Sequence, residues 1–191
     1  MAQSRTVPAS RRRSDAVRNR AQLLEAARRQ LADGDDTLAL NALARCAGVG
    51  IGTAYRHFPN RATLVEGLAA DALAAFVTDA RSAADDPDPA RGLATLLRAG
   101  LAGMAGDHVL AEVLRSPHPV CVETIGLSRE LGTALGELLD RARAAGAVSP
   151  DLGADDLRRL LVGVHTAASA GPHPDAARER YLRVLVAGLA G

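Results

Sequence analysis

Aromatic residues are scarce in this sequence: Tyr55, Phe58, Phe76 and Tyr181 are the whole supply, 2% of 191 residues. A core with so few rings must be built from Ala, Leu and Val, a composition that favours packed helices over sheets. Lysine is absent altogether, all 23 basic residues being Arg. This reads as coding bias and not as chemistry, although the forked donors of arginine suit phosphate. Only two cysteines occur, Cys46 and Cys121, too few for a disulfide scaffold and without the spacing of a CxxC or zinc site. Both lie in apolar runs, which predicts buried free thiols. An apolar stretch of about 18 residues is missing, so no helix is expected to span a membrane. The N-terminus carries Arg and Ser without the following apolar segment of a secretory signal. A mitochondrial transit peptide would share that bias, but the next sixty residues of the chain argue for a cytoplasmic protein.

At 191 residues the chain fits one ordinary domain or two small ones, and it buries roughly 70% of its unfolded surface without staples. Hydrophobic residues at 48% and charged residues at 24% exclude a disordered chain or a collagen. The formal net charge of +1 hides an asymmetry. Residues 1–61 hold eleven Arg against five acids, Asp15, Glu25, Asp33, Asp35 and Asp36, whereas residues 62–191 hold twelve Arg against seventeen acids. A basic N-terminal module on an acidic remainder is the pattern expected when one end meets a polyanion.

No segment alternates with period two, and no long repeat appears. The expectation is an all-α chain of about nine helices. Residues 1–13, polar and ending in Arg11-Arg12-Arg13, read as a disordered basic arm. Ser14 and Asp15 can cap a first helix with Val17, Ala21, Leu24, Ala27 and Leu31 on one face, stopped by Gly34. A short second helix carries Leu40, Leu43, Ala44 and Ala47. A third runs from Gly50 to His57, and Pro59 stops it. Asn60 can cap a fourth, with Leu64, Leu68, Ala72 and Ala75/Phe76 inward. Asp88 and Pro89 open a helix whose stripe is Leu93, Leu96, Leu97, Gly100, Leu101 and Met104. A short helix over 107–115 comes next, and then the turn Ser116-Pro117-His118-Pro119. A long helix over about 120–145 places Val122, Ile125, Leu131, Leu135, Leu138 and Ala142 inside. Two last helices span about 154–170 and 174–190. The layout divides the chain into the arm, a module over 14–76 and a helical remainder over 77–191.

Three short helices, the last two joined by a tight glycine turn, are a helix-turn-helix arrangement whose second helix enters the major groove. In the turn Cys46-Ala47-Gly48-Val49-Gly50, Ala47 lets two helices cross closely, Gly48 can take positive φ, and Val49 can plug the space beneath. The next helix holds Gly50 and Gly52, each costing about 1 kcal/mol in helix propensity. Close approach to a DNA backbone is the gain that would offset them. Thr53, Tyr55, Arg56 and His57 carry donors for phosphate oxygens. Phe58 reads as core.

The run Leu43-Ala44-x-x-Ala47-Gly48-Val49-Gly50-x-Gly52-Thr53-x-Tyr55-Arg56-His57-Phe58-Pro59-Asn60-Arg61-x-x-Leu64 resembles the N-terminal signature of tetracycline-repressor (TetR) family transcriptional regulators. The similarity covers about residues 15–76, and only helical layout and length agree beyond it. The resemblance implies a homodimer that holds a palindromic double-stranded operator through a DNA-binding domain over 14–76 and releases it when a small-molecule effector fills a ligand-binding and dimerisation domain over 77–191. It places Thr53, Tyr55, His57 and Arg61 on phosphates, with Ile51 and Asn41 toward base edges. Ile51 can at most touch a thymine methyl, which leaves Asn41 and Arg56 as polar readers. The candidate DNA-binding residues are therefore Asn41, Gly50, Ile51, Gly52, Thr53, Tyr55, Arg56, His57 and Arg61. Ala39 stands where the family often has a capping Ser or Thr, so the second helix either begins at Thr37 or is capped less well.

In the C-terminal half, His108, His118, His165 and His173 match no metal spacing. His165 falls on the face Leu161-Val164-Ala168 and reads as a buried, satisfied histidine or a single pocket contact. Nucleophile elbow, phosphate loop and dinucleotide fingerprint are all missing, so neither an enzyme nor a cofactor or metal is expected. The last two helices carry stripes Leu157, Leu160, Leu161, Val164, Ala168 and Leu182, Leu185, Val186, Leu189, with small residues Gly163, Ala167, Ala187 and Gly188. Two copies of such a hairpin make a four-helix bundle, a good homodimer surface. Two other classes stay open at this point: an architectural DNA-binding protein without a pocket, and a ligand carrier without a DNA role.

Overall fold

The computed structural model of the chain describes residues 9–116 and 118–189. Residues 1–8 of the expected arm, Pro117 of the turn and Ala190 of the last helix lie outside the described residues. Among the described residues there are nine α-helices and no strand. They are α1 (Ala9–Ala32), α2 (Leu40–Cys46), α3 (Ile51–His57), α4 (Arg61–Ala84), α5 (Pro89–Gly106), α6 (His108–Arg115), α7 (Val122–Ala144), α8 (Ala154–Ser169) and α9 (Pro174–Gly188). Their contacts cluster into two units, Met1–Leu68 and Ala69–Gly191, with α4 contributing residues to both. No helix among the described residues is long and apolar enough to cross a membrane.

In the first unit α1 packs on α2 and α3. It begins at Ala9 and not at Ser14, so residues 9–13 of the expected arm are helical. Arginine is a good helix former, and three in a row extend the helix ahead of its packed stretch. That stretch is Leu23, Leu24, Ala26 and Ala27, all buried, while Val17 and Ala21 stand exposed. Periodicity marks the correct side of α1 but not how far its partners reach.

The turn after α2 has a glycine-ended pattern. The Val49 N–H donates to the Ala44 carbonyl at 2.9 Å and the Gly48 N–H to the Arg45 carbonyl at 3.2 Å. Together these satisfy two orphan carbonyls of α2. Gly48 has φ +65°, and a Cβ there would meet nothing within 4 Å. The penalty for a side chain is therefore conformational. Gly48→Ala is expected to lower stability by about 1–2 kcal/mol, read as a lower melting temperature. An unchanged melting temperature would show that the turn does not depend on that conformation. Val49 is buried beneath the turn, as its apolar character suggested.

The second unit is organised around α5, which packs on α6, α7, α8 and α9. Asp88 caps it: its Oδ1 accepts from the Ala90 and Arg91 N–H groups at 3.0 and 3.1 Å. The inward stripe from Leu93 to Met104 is buried throughout. At Gly100 an added Cβ would lie 2.7 Å from Leu161 and 2.9 Å from Phe76, so a side chain there would force Leu161 and the Phe76 ring to shift.

Several expected core positions are corrected. On α4, Leu73 and Val77 are buried while Ala72 is half-buried and Ala75 exposed, because the inward stripe runs through Ala69, Leu73, Phe76, Val77 and Ala80. On α7, Val122 is 87% exposed and Ile125 is exposed too. Two turns back from Leu131 lies Thr124, and Thr124 takes the inward place. Leu160 of α8 is also exposed. Neither cysteine is buried: Cys46 faces an open groove beside Arg29 and Asp33, and half-buried Cys121 precedes the first turn of α7.

His165 is only 7% exposed, yet its Nδ1 has no hydrogen-bond partner among the described residues, so it is buried but not satisfied there. Burial, and then the positive charges of Arg178, His108 and Arg115, hold its pKa below the usual histidine value. The unfolded chain therefore binds the proton first as pH falls. The contribution of this group to stability is present above about 6.5 and lost as pH drops through the folded value. Melting temperatures measured from pH 7.5 to 5 should fall less steeply for His165→Leu than for the parent chain. Parallel curves would remove His165 from the acid response.

Candidate nucleic-acid interface

Helical spacing sorts the side chains of α3 into layers. Ala54 and Phe58, four residues apart, are buried in the first unit. Ile51 and Tyr55, also four apart, are 50% and 45% exposed. Gly52 and Arg56 lie beside them and are exposed, while Thr53 and His57 are half-buried at the edge. The helix ends where Phe58 leaves helical backbone, with its N–H still donating to the Ala54 carbonyl at 2.9 Å. Asn60 then caps α4 by accepting from the Thr63 N–H at 2.9 Å.

Two flanking elements complete the surface. Asn41 is exposed on the second residue of α2, which packs on α3. Arg61 is exposed on the first residue of α4. All nine candidate residues are thus found on α2, α3, the residue ahead of α3, and the start of α4. Donors of Asn41, Tyr55, Arg56 and Arg61 are carried on exposed side chains, and those of Thr53 and His57 on half-buried ones. A helix with side chains is about 10–12 Å across, and the major groove is about 12 Å wide.

The two glycines are not demanded by contacts among the described residues. A Cβ built at Gly52 meets nothing within 4 Å, and one at Gly50 meets only the Thr53 Oγ1 at 3.9 Å. Arg56 lies along its own helix: its Nε donates to the Gly52 carbonyl at 3.1 Å and its Nη2 to the Thr53 Oγ1 at 2.9 Å. Both bonds are exposed and cost little to exchange for another acceptor. The His57 ring is held below the usual histidine pKa by burial and by the charges of Arg20 and Arg56, so it is neutral near pH 7.

Two family models match the chain. One, described as bacterial regulatory proteins of the tetR family, covers residues 23–68 and so takes in α2, α3 and the turn between them. The other, described as transcriptional regulator SbtR-like, C-terminal domain, covers residues 88–191, more than half of the chain. The chain belongs to the TetR family. The TetR-family regulator SCO0520 from Streptomyces coelicolor is 29% identical, with 89% of this chain and 97% of that chain covered at a TM-score of 0.54. FadR from Bacillus subtilis, solved in complex with stearoyl-CoA, is 20% identical and shares the fold at a TM-score of 0.60, covering 88% and 98% of the two chains. RolR, solved with resorcinol, is 21% identical at a TM-score of 0.60, covering 90% and 89%. No curated protein matches the chain.

In this TetR-family helix-turn-helix, α2 begins at Leu40 and not at Thr37, and Ala39 offers no side-chain cap, so the weaker-cap alternative is the one realised. Thr37 instead accepts from the Gln30 side chain at 3.1 Å at the end of α1. Sequence reasoning missed three residues of this region. The Arg20 guanidinium lies 5.5 Å from the centroid of the Phe58 ring and adds positive charge beside His57. Gly67 of α4 lets that arrangement close, since a Cβ there would lie 3.0 Å from Phe58 and 3.3 Å from Arg20. Leu38, with φ +47°, is buried ahead of α2 despite its left-handed backbone. A glycine in mid-helix was the legible signal for Gly67; Arg20 and Leu38 gave none.

Proposed function

We propose that this TetR-family regulator is a ligand-responsive repressor: a homodimer that holds a palindromic operator and releases it when a small molecule binds the C-terminal unit. The observation that carries the reading is the layered α3. Its apolar side is spent on the core, while Ile51, Gly52, Tyr55 and Arg56 face solvent in the basic half of the chain. Thr53, Tyr55, His57 and Arg61 are the proposed phosphate contacts, and Asn41, Arg56 and Ile51 the proposed contacts to base edges. Gly50 and Gly52 admit the DNA backbone.

The dimer is proposed to form through α8 and α9. These helices pack on each other and on α5, yet Leu160, Gly163 and Ala167 of α8 and Val184, Ala187 and Gly188 of α9 remain exposed. Small residues allow two such hairpins to approach closely. The ligand-bound complexes of FadR and RolR, which share the fold, support a small-molecule effector. Phe76 of the continuous helix α4 lines an apolar slot in the second unit, so an effector that displaces it acts on the same helix that begins at Arg61. Light scattering of the full chain at micromolar concentration, paired with gel shifts against DNA from around its own gene, tests the reading. A dimer retained on specific fragments is expected; a monomer, or binding indifferent to sequence, would overturn it.

A further inference from the structure

The second unit contains a cavity of about 280 Å³. Space of that size holds roughly ten water-sized atoms at about 30 Å³ each. Leu73, Val113, Leu114, Leu131 and Leu135 give it apolar walls, and Ser116, Ser128, Asp155 and Arg158 give it one polar side. Beyond Arg158 lies a smaller slot of about 20 Å³, lined by Phe76, Leu96, Leu97, Leu157 and Leu161. Arg158, with Leu114, Leu131 and Leu135, lines both spaces.

The Arg158 side chain is only 19% exposed, so its charge needs a partner. Its fork is filled from within the chain. Nε and Nη2 both donate to Asp155 Oδ1, at 3.0 and 2.5 Å, and Nη1 donates to the Leu114 carbonyl and more weakly to that of Arg115. Asp155 also pairs through its other oxygen with the exposed Arg159. It can therefore let go of Arg158 without being left alone, whereas Arg158 cannot give up an anion without receiving another.

We propose that Asp155 stands in for the carboxylate of the effector, and that the effector is a compact aliphatic acid. Its carboxylate takes the Arg158 fork, its chain lies along Leu131 and Leu135 with its end toward the Phe76 slot, and Asp155 keeps Arg159. Exchanging one carboxylate for another leaves the buried guanidinium paired, so burial of the chain drives binding. An alcohol of the same length buries the same chain but offers the fork no charge. An amine brings a positive charge against Arg158. This inference rests on the reading that the C-terminal unit receives a ligand.

Isothermal titration of the full chain with octanoate, octanol and octylamine tests it, with gel shifts on DNA from around its own gene run on the same preparation. Octanoate is expected to bind at least about tenfold more tightly than octanol, since its two oxygens can take Nε and Nη2 one each where Asp155 gives Oδ1 to both, and a bidentate charge-assisted pair is the stronger by about one such factor. Octylamine is expected not to bind. Arg158→Gln should erase the preference. Because that change also removes the ties to Leu114 and Arg115, Asp155→Asn is the second variant. It removes the competing carboxylate, and it should raise octanoate affinity about tenfold while leaving octanol unchanged. Equal binding of acid and alcohol, an Asp155→Asn chain with unaltered octanoate affinity, or no binding of octanoate by a preparation that still retains DNA, each overturns the proposal. Failure to retain any DNA strikes the regulator reading instead, whatever octanoate does.

Discussion

Replacing Gly52 with alanine is expected to raise the melting temperature and weaken operator binding in the same protein. The first effect comes from helix propensity. Gly52 lies in α3, exposed, with nothing within 4 Å of an added Cβ. Alanine there stabilises the helix by up to about 1 kcal/mol, or about 2–4 °C for a chain of this size. The second effect arises if the exposed backbone of α3 lies against DNA. A methyl group would then hold the helix off its site, with an expected loss of at least about tenfold, or ~1.4 kcal/mol. Gly136→Ala is the control. It also adds a methyl in open space on a helix, α7, and it should raise stability without touching DNA affinity. Thermal melting and gel shifts on the three proteins give the answer. A Gly52→Ala chain that binds operator as tightly as the parent would show that close backbone approach is not why glycine stands there.

The second large effect concerns the division between holding and reading. Arg61→Ala is expected to weaken binding to all sequences alike and to reduce the slope of log affinity against log salt by about one, as loss of one phosphate cation should. Tyr55→Phe removes a neutral donor from a residue that stays half exposed. It should cost about 1 kcal/mol on every sequence while leaving the salt slope nearly unchanged. Asn41→Ala is different: it should cost about 1–3 kcal/mol on the preferred operator and reorder the ranking of operator variants. Binding isotherms on a small panel of operator variants at several salt concentrations separate the three behaviours. If Asn41→Ala lowers all affinities evenly, Asn41 holds the backbone and another residue reads the bases.

Most of the fold was legible because its signals are local. The Asp88 cap, the Pro89 start and the Gly48 turn each depend on a few neighbouring residues, and each formed as spacing suggested. What was not legible depends on the reach of a distant partner. Val17 has the periodicity of a core residue but lies on a turn of α1 that neighbouring helices leave exposed. Val122 and Ile125 look more apolar than Thr124, yet Thr124 continues the inward phase of α7. At the candidate DNA surface, a specific run of residues placed α2 and α3, and the exposure of Tyr55 was anticipated. The Arg20–Phe58–Gly67 contact was hidden, because it joins α1, the end of α3 and α4 across long stretches of sequence. The Asp155–Arg158 pair was equally hidden: at i,i+3 it reads as one more surface pair, and only the cavity beside it gives it another meaning.

If the chain is the two-fold regulator proposed above, it must present two copies of α3 together to one face of a duplex. Footprinting of the full chain on DNA from around its own gene puts that requirement to the test. A protected palindrome is expected, with half-sites whole helical turns apart, about 10 base pairs or a multiple of it, so that both recognition helices enter major grooves on one side. Protection of a single unpaired half-site, or uniform weak protection without a palindrome, would contradict it.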